Sequence, residues 1–309
     1  MSYNFNNYYM DLRLMKNVAF VGLCVLMLTS VDALAQRQQQ KQPRYQVAAC
    51  DWMMLKRQKL GEFQLAKDIG ADGVEVDMGS LGQRVLFDNK LREPEHQRVF
   101  RRTADSLGVK VPSMAMSGFF AQNLLKRDNY MELLEDCIVS MHAMGAKIVF
   151  LPLGGSGHLW EPTLTPEHQE MVKRLHEMGE RARQAGIVIG IRTALSADYD
   201  VAFLKEINSQ GIKIYFNMQD AVDRHRDVSA ELKKLGRQNI CQIHASLTDS
   251  VTLDRDPRID LRAVKRTLDE MQWTGWLVVE RSRDAGKTRD VRGNFGTNVS
   301  YLKQIFQEK

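Results

Sequence analysis

The chain has 309 residues, enough for one large core or two ordinary ones, and its composition, 44% hydrophobic and 26% charged, is that of a folded globular protein. Its formal net charge of +5 is small for this length, and the two signs are interspersed without a long basic run, which argues against a nucleic-acid partner. Past the N-terminal region only Cys50, Cys137 and Cys241 remain, an odd and widely spaced set that makes no disulfide framework.

The N-terminus reads as a targeting segment. Lys16 precedes an apolar run from Val18 to Leu28, and Ala33-Leu34-Ala35 supplies a small-x-small site before Gln36. This is the layout of a secretory signal peptide over residues 1–35, with Met10 or Met15 as alternative starts. The run is short for a membrane span, and Cys24 lacks the small preceding residue of a lipid-anchor site. Residues 36–44 form a polar, Gln-rich linker without a core pattern. The expected product is periplasmic or secreted, free of the membrane once cleaved, and works where phosphorylated sugars and nucleotide cofactors are scarce.

From Tyr45 onward, short apolar strands alternate with amphipathic helices. Strand Tyr45–Ala49 precedes helix Glu62–Ile69, strand Gly73–Val76 precedes Pro94–Leu107, and Val111–Met116 precedes Met131–Met144. Lys147–Leu151 precedes Pro166–Gln184, Ile187–Ile191 precedes a helix from Asp200 to Ile207, and Ile212–Phe216 precedes Val228–Leu235. Ile240–Ile243 precedes Leu261–Met271, and Leu277–Val279 precedes the last helix, Asn298–Phe306. Gly70, Gly108, Gly145 and Gly186 supply helix stops, and Pro94 and Pro166 supply starts. Eight strand–helix units predict a single (β/α)8 TIM barrel over residues 45–309. A doubly wound open sheet fits less well, because no G-x-G-x-x-G follows the first strand.

In such a barrel the reacting groups lie at the C-terminal strand ends and the loops after them. Those positions hold Asp51, Glu75, Asp77, Ser117, Gln122, His158, Trp160, Arg192, Thr193, Asn217, Gln219, Asp220, His244, Thr248, Asp249, Glu280, Arg281 and Arg283. His158 and Trp160, in a Gly-rich loop, suit a sugar platform, the indole covering the C–H face of a ring. The stretch LGGSG at 153–157 lacks the Lys-Ser/Thr of a phosphate-binding P-loop.

The segments GADGVEV at the second strand, GAKIVFLP at the fourth, GIVIGIRT at the fifth, QIHASLTD at the seventh and LVVERSRD at the eighth resemble the xylose-isomerase-like TIM-barrel superfamily, in order and spacing, over nearly all of residues 45–306. That group includes sugar isomerases and epimerases, myo-inosose dehydratases and AP endonucleases; the last need a trinuclear zinc cluster for which this chain has too few histidines at strand ends. In the epimerase-like members a divalent metal, manganese, magnesium or zinc, is held by Glu, Asp, His and Glu at the ends of strands five to eight. His244 and Glu280 match, whereas Arg192 stands at the strand-five position and Asn217 at the strand-six position. An arginine cannot ligate a cation, so the resemblance implies that the usual metal is absent or bound weakly elsewhere. A shifted register, with Asp220 or Asp198 restoring a carboxylate beside His244 and Glu280, would reinstate it.

What the resemblance then implies is an exported protein acting on an unphosphorylated carbohydrate or keto-sugar by proton abstraction next to a carbonyl. Glu280, His244, Arg192 and Glu75 are the catalytic candidates, Arg192 standing in for the metal as charge develops. His158, Trp160, Asn217, Asp249 and Arg283 are the substrate-binding candidates. The alternatives are a metal-independent keto-glycoside lyase or dehydratase, in which the same enolate expels a β-substituent, and a catalytically inactive sugar-binding barrel. Barrels of this group often pair through their outer helices, so a homo-oligomer is open as well.

Overall fold

The structure is a computed structural model that describes residues 43–154 and 166–308. The expected signal peptide, most of the linker, and His158 and Trp160 lie outside the described residues. From Arg44 onward the chain forms one compact unit. Eight strands close a barrel in sequence order: β1 Tyr45–Cys50, β2 Gly73–Asp77, β3 Ser113–Ala115, β4 Ile148–Pro152, β5 Val188–Arg192, β6 Ile212–Asn217, β7 Ile240–His244 and β8 Gly275–Val279. Each pairs in parallel with the next, and β8 returns to β1 with Ala48 opposite Val278.

The helices are α1 Gly61–Asp68, α2 Pro94–Leu107, α3 Tyr130–Met144, α4 Pro166–Gln184, α5 Ala197–Ile207, α6 Met218–Val222, α7 Val228–Leu235, α8 Leu261–Glu270 and α9 Val291–Phe306. Several of the expected signals operate as read. Pro94 sits in the first turn of α2, and Gly108 (φ 68°) and Gly145 (φ 74°) close α2 and α3 in the left-handed conformation that glycine adopts at least cost. Two expectations need correcting. The segment after β6 holds an extra short helix, α6, started by the Asn217 side chain, which accepts from the Gln219 N–H. The last helix starts at Val291 rather than Asn298, because the Asp290 carboxylate accepts from Gly293 N–H and tertiary contacts hold the polar first turns.

Strand alternation divides the core in two. Val47, Ala49, Val74, Val76, Val149, Leu151, Ile189 and Ile191 join the large apolar layer shared with the helices. The opposite parity, Ala48, Cys50, Ala115, Phe150, Tyr215 and Val278, forms a small cluster with Trp52 inside the barrel. Into that interior the chain also sends Glu75, Ser113, Gln242 and His244, all fully buried.

Candidate active site

The base of the site is a closed polar network. Glu75, in the middle of β2, receives the hydroxyls of Ser113 and Tyr215 on Oε2, each at 2.6 Å. The Gln242 amide donates to both hydroxyl oxygens at 2.8 Å, so their hydrogens are committed to Glu75. Oε1 of Glu75 lies 2.9 Å from Nε2 of His244. A carboxylate only accepts, so this contact fixes the imidazole hydrogen on Nε2 and leaves Nδ1 as the nitrogen turned to the site. Nδ1 is buried, makes no hydrogen bond among the described residues, and lies 3.6 Å from Glu280 Oε2. Phe150 and Tyr215 crowd the imidazole at 4.7 and 4.4 Å between centroids, and Trp52 meets it edge-on at 6.3 Å.

Above this base sits Glu280, just past β8. Its Oε2 is approached by Asn217 Nδ2 at 3.4 Å, His244 Nδ1 at 3.6 Å and Arg192 Nη1 at 4.0 Å. All three are long for hydrogen bonds, so the carboxylate is surrounded without being tightly held. Arg192, ending β5, is held firmly instead: its Nε and Nη2 donate to the two oxygens of Asp220, each at 2.7 Å. That bidentate pairing leaves Nη1 directed at the Glu280 side, with Phe120 beneath the guanidinium at 5.5 Å. Two non-glycine residues, Ala194 (φ 60°) and Ser282 (φ 71°), take left-handed backbone two positions after Arg192 and Glu280. Ser282 is held there by its hydroxyl, which bridges the N–H and carbonyl of Leu247 on the neighbouring loop.

Burial and charge set the protonation of this region. Burial pushes the Tyr215 hydroxyl well up, and the Glu75 charge and hydrogen bond push it further, so Tyr215 remains a donor. The Cys50 thiol is raised by burial and then by the charges of Glu280 and Glu75, which leaves it an inert thiol rather than a nucleophile. Burial opposes the charge on Arg192, but the hydrogen bond and charge of Asp220 outweigh it, and the guanidinium is held above its ordinary range.

The parallel barrel is matched by sequence as well. Residues 63–305 match the family described as Xylose isomerase-like TIM barrel. The chain belongs to that family. No curated protein matches it. Solved structures share the fold at low identity: the Xylose isomerase domain protein from Planctomyces limnophilus (16% identity, TM-score 0.63, 85% of this chain and 97% of that one) is one. Others are the D-psicose 3-epimerase with D-tagatose from Clostridium cellulolyticum H10 (12%, 0.66, 84% and 99%) and the D-allulose 3-epimerase from Methylomonas sp. in complex with D-allulose (13%, 0.63, 85% and 98%).

Within this xylose isomerase-like barrel, the residues expected to form the site separate into groups. His244, Glu280, Arg192 and Asn217 converge on one small volume, as the contacts above show. Glu75 does not end its strand; it lies beneath His244 with both oxygens engaged, so it faces the imidazole rather than the mouth. His244 itself is fully buried, with its Nδ1 3.6 Å from Glu280 Oε2. Asp249 and Arg283 pair with each other at 2.5 Å, and Asp249 also takes Arg281 at 3.2 Å, which spends the groups expected to bind substrate on one another. Asp51 and Asp77 are buried loop anchors: Asp51 accepts from Gln58 and Asp77 N–H groups, and Asp77 pairs with Arg57 at 2.7 Å. Ser113, Tyr215, Gln242 and Trp52 are site residues that the strand-end rule does not find. The signal for the first three is present in the sequence, as polar side chains in strands otherwise apolar and buried.

A divalent cation fits these residues poorly. Asp198, one carboxylate that a shifted register would supply, lies outside the site on an exposed pair with Lys234. Asp220 is in reach, but both its oxygens are taken by Arg192. The Asn217 carbonyl oxygen is occupied by the Gln219 N–H, which turns its amide hydrogens, not its oxygen, toward Glu280. Among the described residues no group of three or more His, Cys, Asp or Glu side chains could hold a metal ion.

Proposed function

We propose that the protein is a sugar isomerase or epimerase acting on an unphosphorylated keto-sugar, exported by residues 1–35. The observation that carries this reading is the loosely held Glu280 carboxylate facing the unshared Nη1 of Arg192 across 4.0 Å. Glu280 removes the proton from the carbon next to the carbonyl; the electron pair moves into the carbonyl oxygen; Arg192 Nη1 and Asn217 Nδ2 donate to that oxygen as it becomes an enediolate. Return of the proton to the former carbonyl carbon, while the proton of the neighbouring hydroxyl passes to the enediolate oxygen, gives an isomer; delivery of a solvent proton to the opposite face of the original carbon, with Glu280 giving its proton back to solvent, gives an epimer. His244 and Glu75 are positioning residues that act through Glu280. The sugar class is supported by the family and by the 3-epimerases that share the fold.

The test is solvent deuterium exchange into a panel of keto-sugars followed by NMR. Label at the carbon next to the carbonyl, lost in Glu280→Gln, supports the reading. Release of an aglycone from a keto-glycoside would point to the lyase instead, and sugar binding without any exchange to a silent binding barrel. Mass spectrometry of the exported protein should find Gln36 at its N-terminus; an intact leader would refute export by cleavage.

A further inference from the structure

The polarity of the well beside Glu280 is the reverse of what a cation needs. A divalent ion is held by oxygen lone pairs and bare imidazole nitrogens converging on one point. Around Glu280 Oε2 the converging atoms are instead two donors, Asn217 Nδ2 and Arg192 Nη1, with only His244 Nδ1 able to ligate. Both donors are locked from behind. The Gln219 N–H fixes the Asn217 amide the donor way round, and the two-point Asp220 pair fixes the guanidinium. Asp220 therefore balances a charge that belongs to the protein itself, and Phe120 covers the face of the same guanidinium.

We infer that Arg192 is a built-in substitute for a divalent ion: its guanidinium supplies the positive charge beside Glu280, and the site takes up no metal. The inference is independent of which sugar is turned over, because it concerns the charge of the well alone. It also explains why Asp220 lies three residues beyond the strand-six position: from the first turn of α6 it reaches the guanidinium with both oxygens.

Its test uses manganese alone, followed as loss of the free Mn2+ signal by electron paramagnetic resonance, so a failure of the proposed sugar activity leaves the result readable. The full chain is expected to leave the Mn2+ signal unchanged up to the millimolar range. The Arg192→Glu, Asn217→Asp double variant is expected to sequester one ion per chain, tighter by roughly a hundredfold or more than the parent. Because that variant gathers carboxylates around Asp220, a triple variant adding Asp220→Asn guards against misfolding, with near-ultraviolet circular dichroism checking the fold. Mn2+ uptake by the parent chain that Glu280→Gln abolishes would overturn the inference. So would folded double and triple variants that both leave the ion in solution.

Discussion

Glu280 and Glu75 are both buried carboxylates of one barrel, yet their surroundings give them different parts. Glu280 has two donors and the bare imidazole nitrogen of His244 at 3.4 to 4.0 Å, and no closer side-chain partner among the described residues, so little ties it to one partner. Glu280→Gln keeps the shape and removes the base, and should lower exchange into the sugar by about 10²–10⁴-fold with an unchanged unfolding curve. Glu75 is the reverse case, with two hydroxyls and an imidazole committed to it. Glu75→Ala would strand all three in a closed interior and should cost about 3–5 kcal/mol in chemical denaturation; a loss within error of zero would contradict the network. His244 and Glu280 are legible in the sequence because each comes at the end of an apolar strand. Glu75 is legible as a residue but not as a partner of His244, since the two are 169 positions apart and only closure of the barrel brings them together.

At the scale of elements, the order and the eight strands follow from apolar runs and from the helix stops of Gly108 and Gly145, where local chemistry and the fold agree. The departures fall where tertiary contacts override local propensity. The first turns of α9 carry Gly293, Asn294 and Gly296, poor helix formers that read as loop. They are helical because Asn294 bridges Asp284 N–H and the Lys287 carbonyl, and because Asn298 gathers Leu253 N–H and the Arg281 and Ser282 carbonyls. A Cβ at Gly293 would stand 2.2 Å from an Asp290 carboxylate oxygen, so the capping side chain would have to turn aside. Asp290→Ala should remove the cap and cost about 1 kcal/mol in urea denaturation, and a neutral or stabilising effect would show that the cap does not hold α9. Short α6 escapes the sequence pattern for a related reason, since Asn217 reads as a site residue while its oxygen also starts a helix.

For the whole molecule, the loops after β1 and β2 are tied by carboxyl groups that burial pushes toward the protonated form. Asp51 is pushed up to about 8, by burial first and then by the charge of Asp77. A carboxyl with a folded value above its unfolded one binds its proton more tightly when folded, so its contribution is present at low pH and is lost as pH rises from about 4 to about 8. Asp51→Asn should accordingly gain in Tm relative to the parent as pH rises through that window; a difference that stays flat would rule out Asp51 as the titrating group. Barrel closure is also what places Arg192 and Glu280, from β5 and the end of β8, on one well whose chemistry no single segment shows. The most direct measurement is NMR of a keto-sugar panel incubated in deuterated solvent with the parent chain and with Glu280→Gln, both stripped of metal by chelation. Label next to the carbonyl with the stripped parent and its loss in the variant is the predicted result; no label in any sugar, or label undiminished in Glu280→Gln, would contradict proton transfer at this carboxylate.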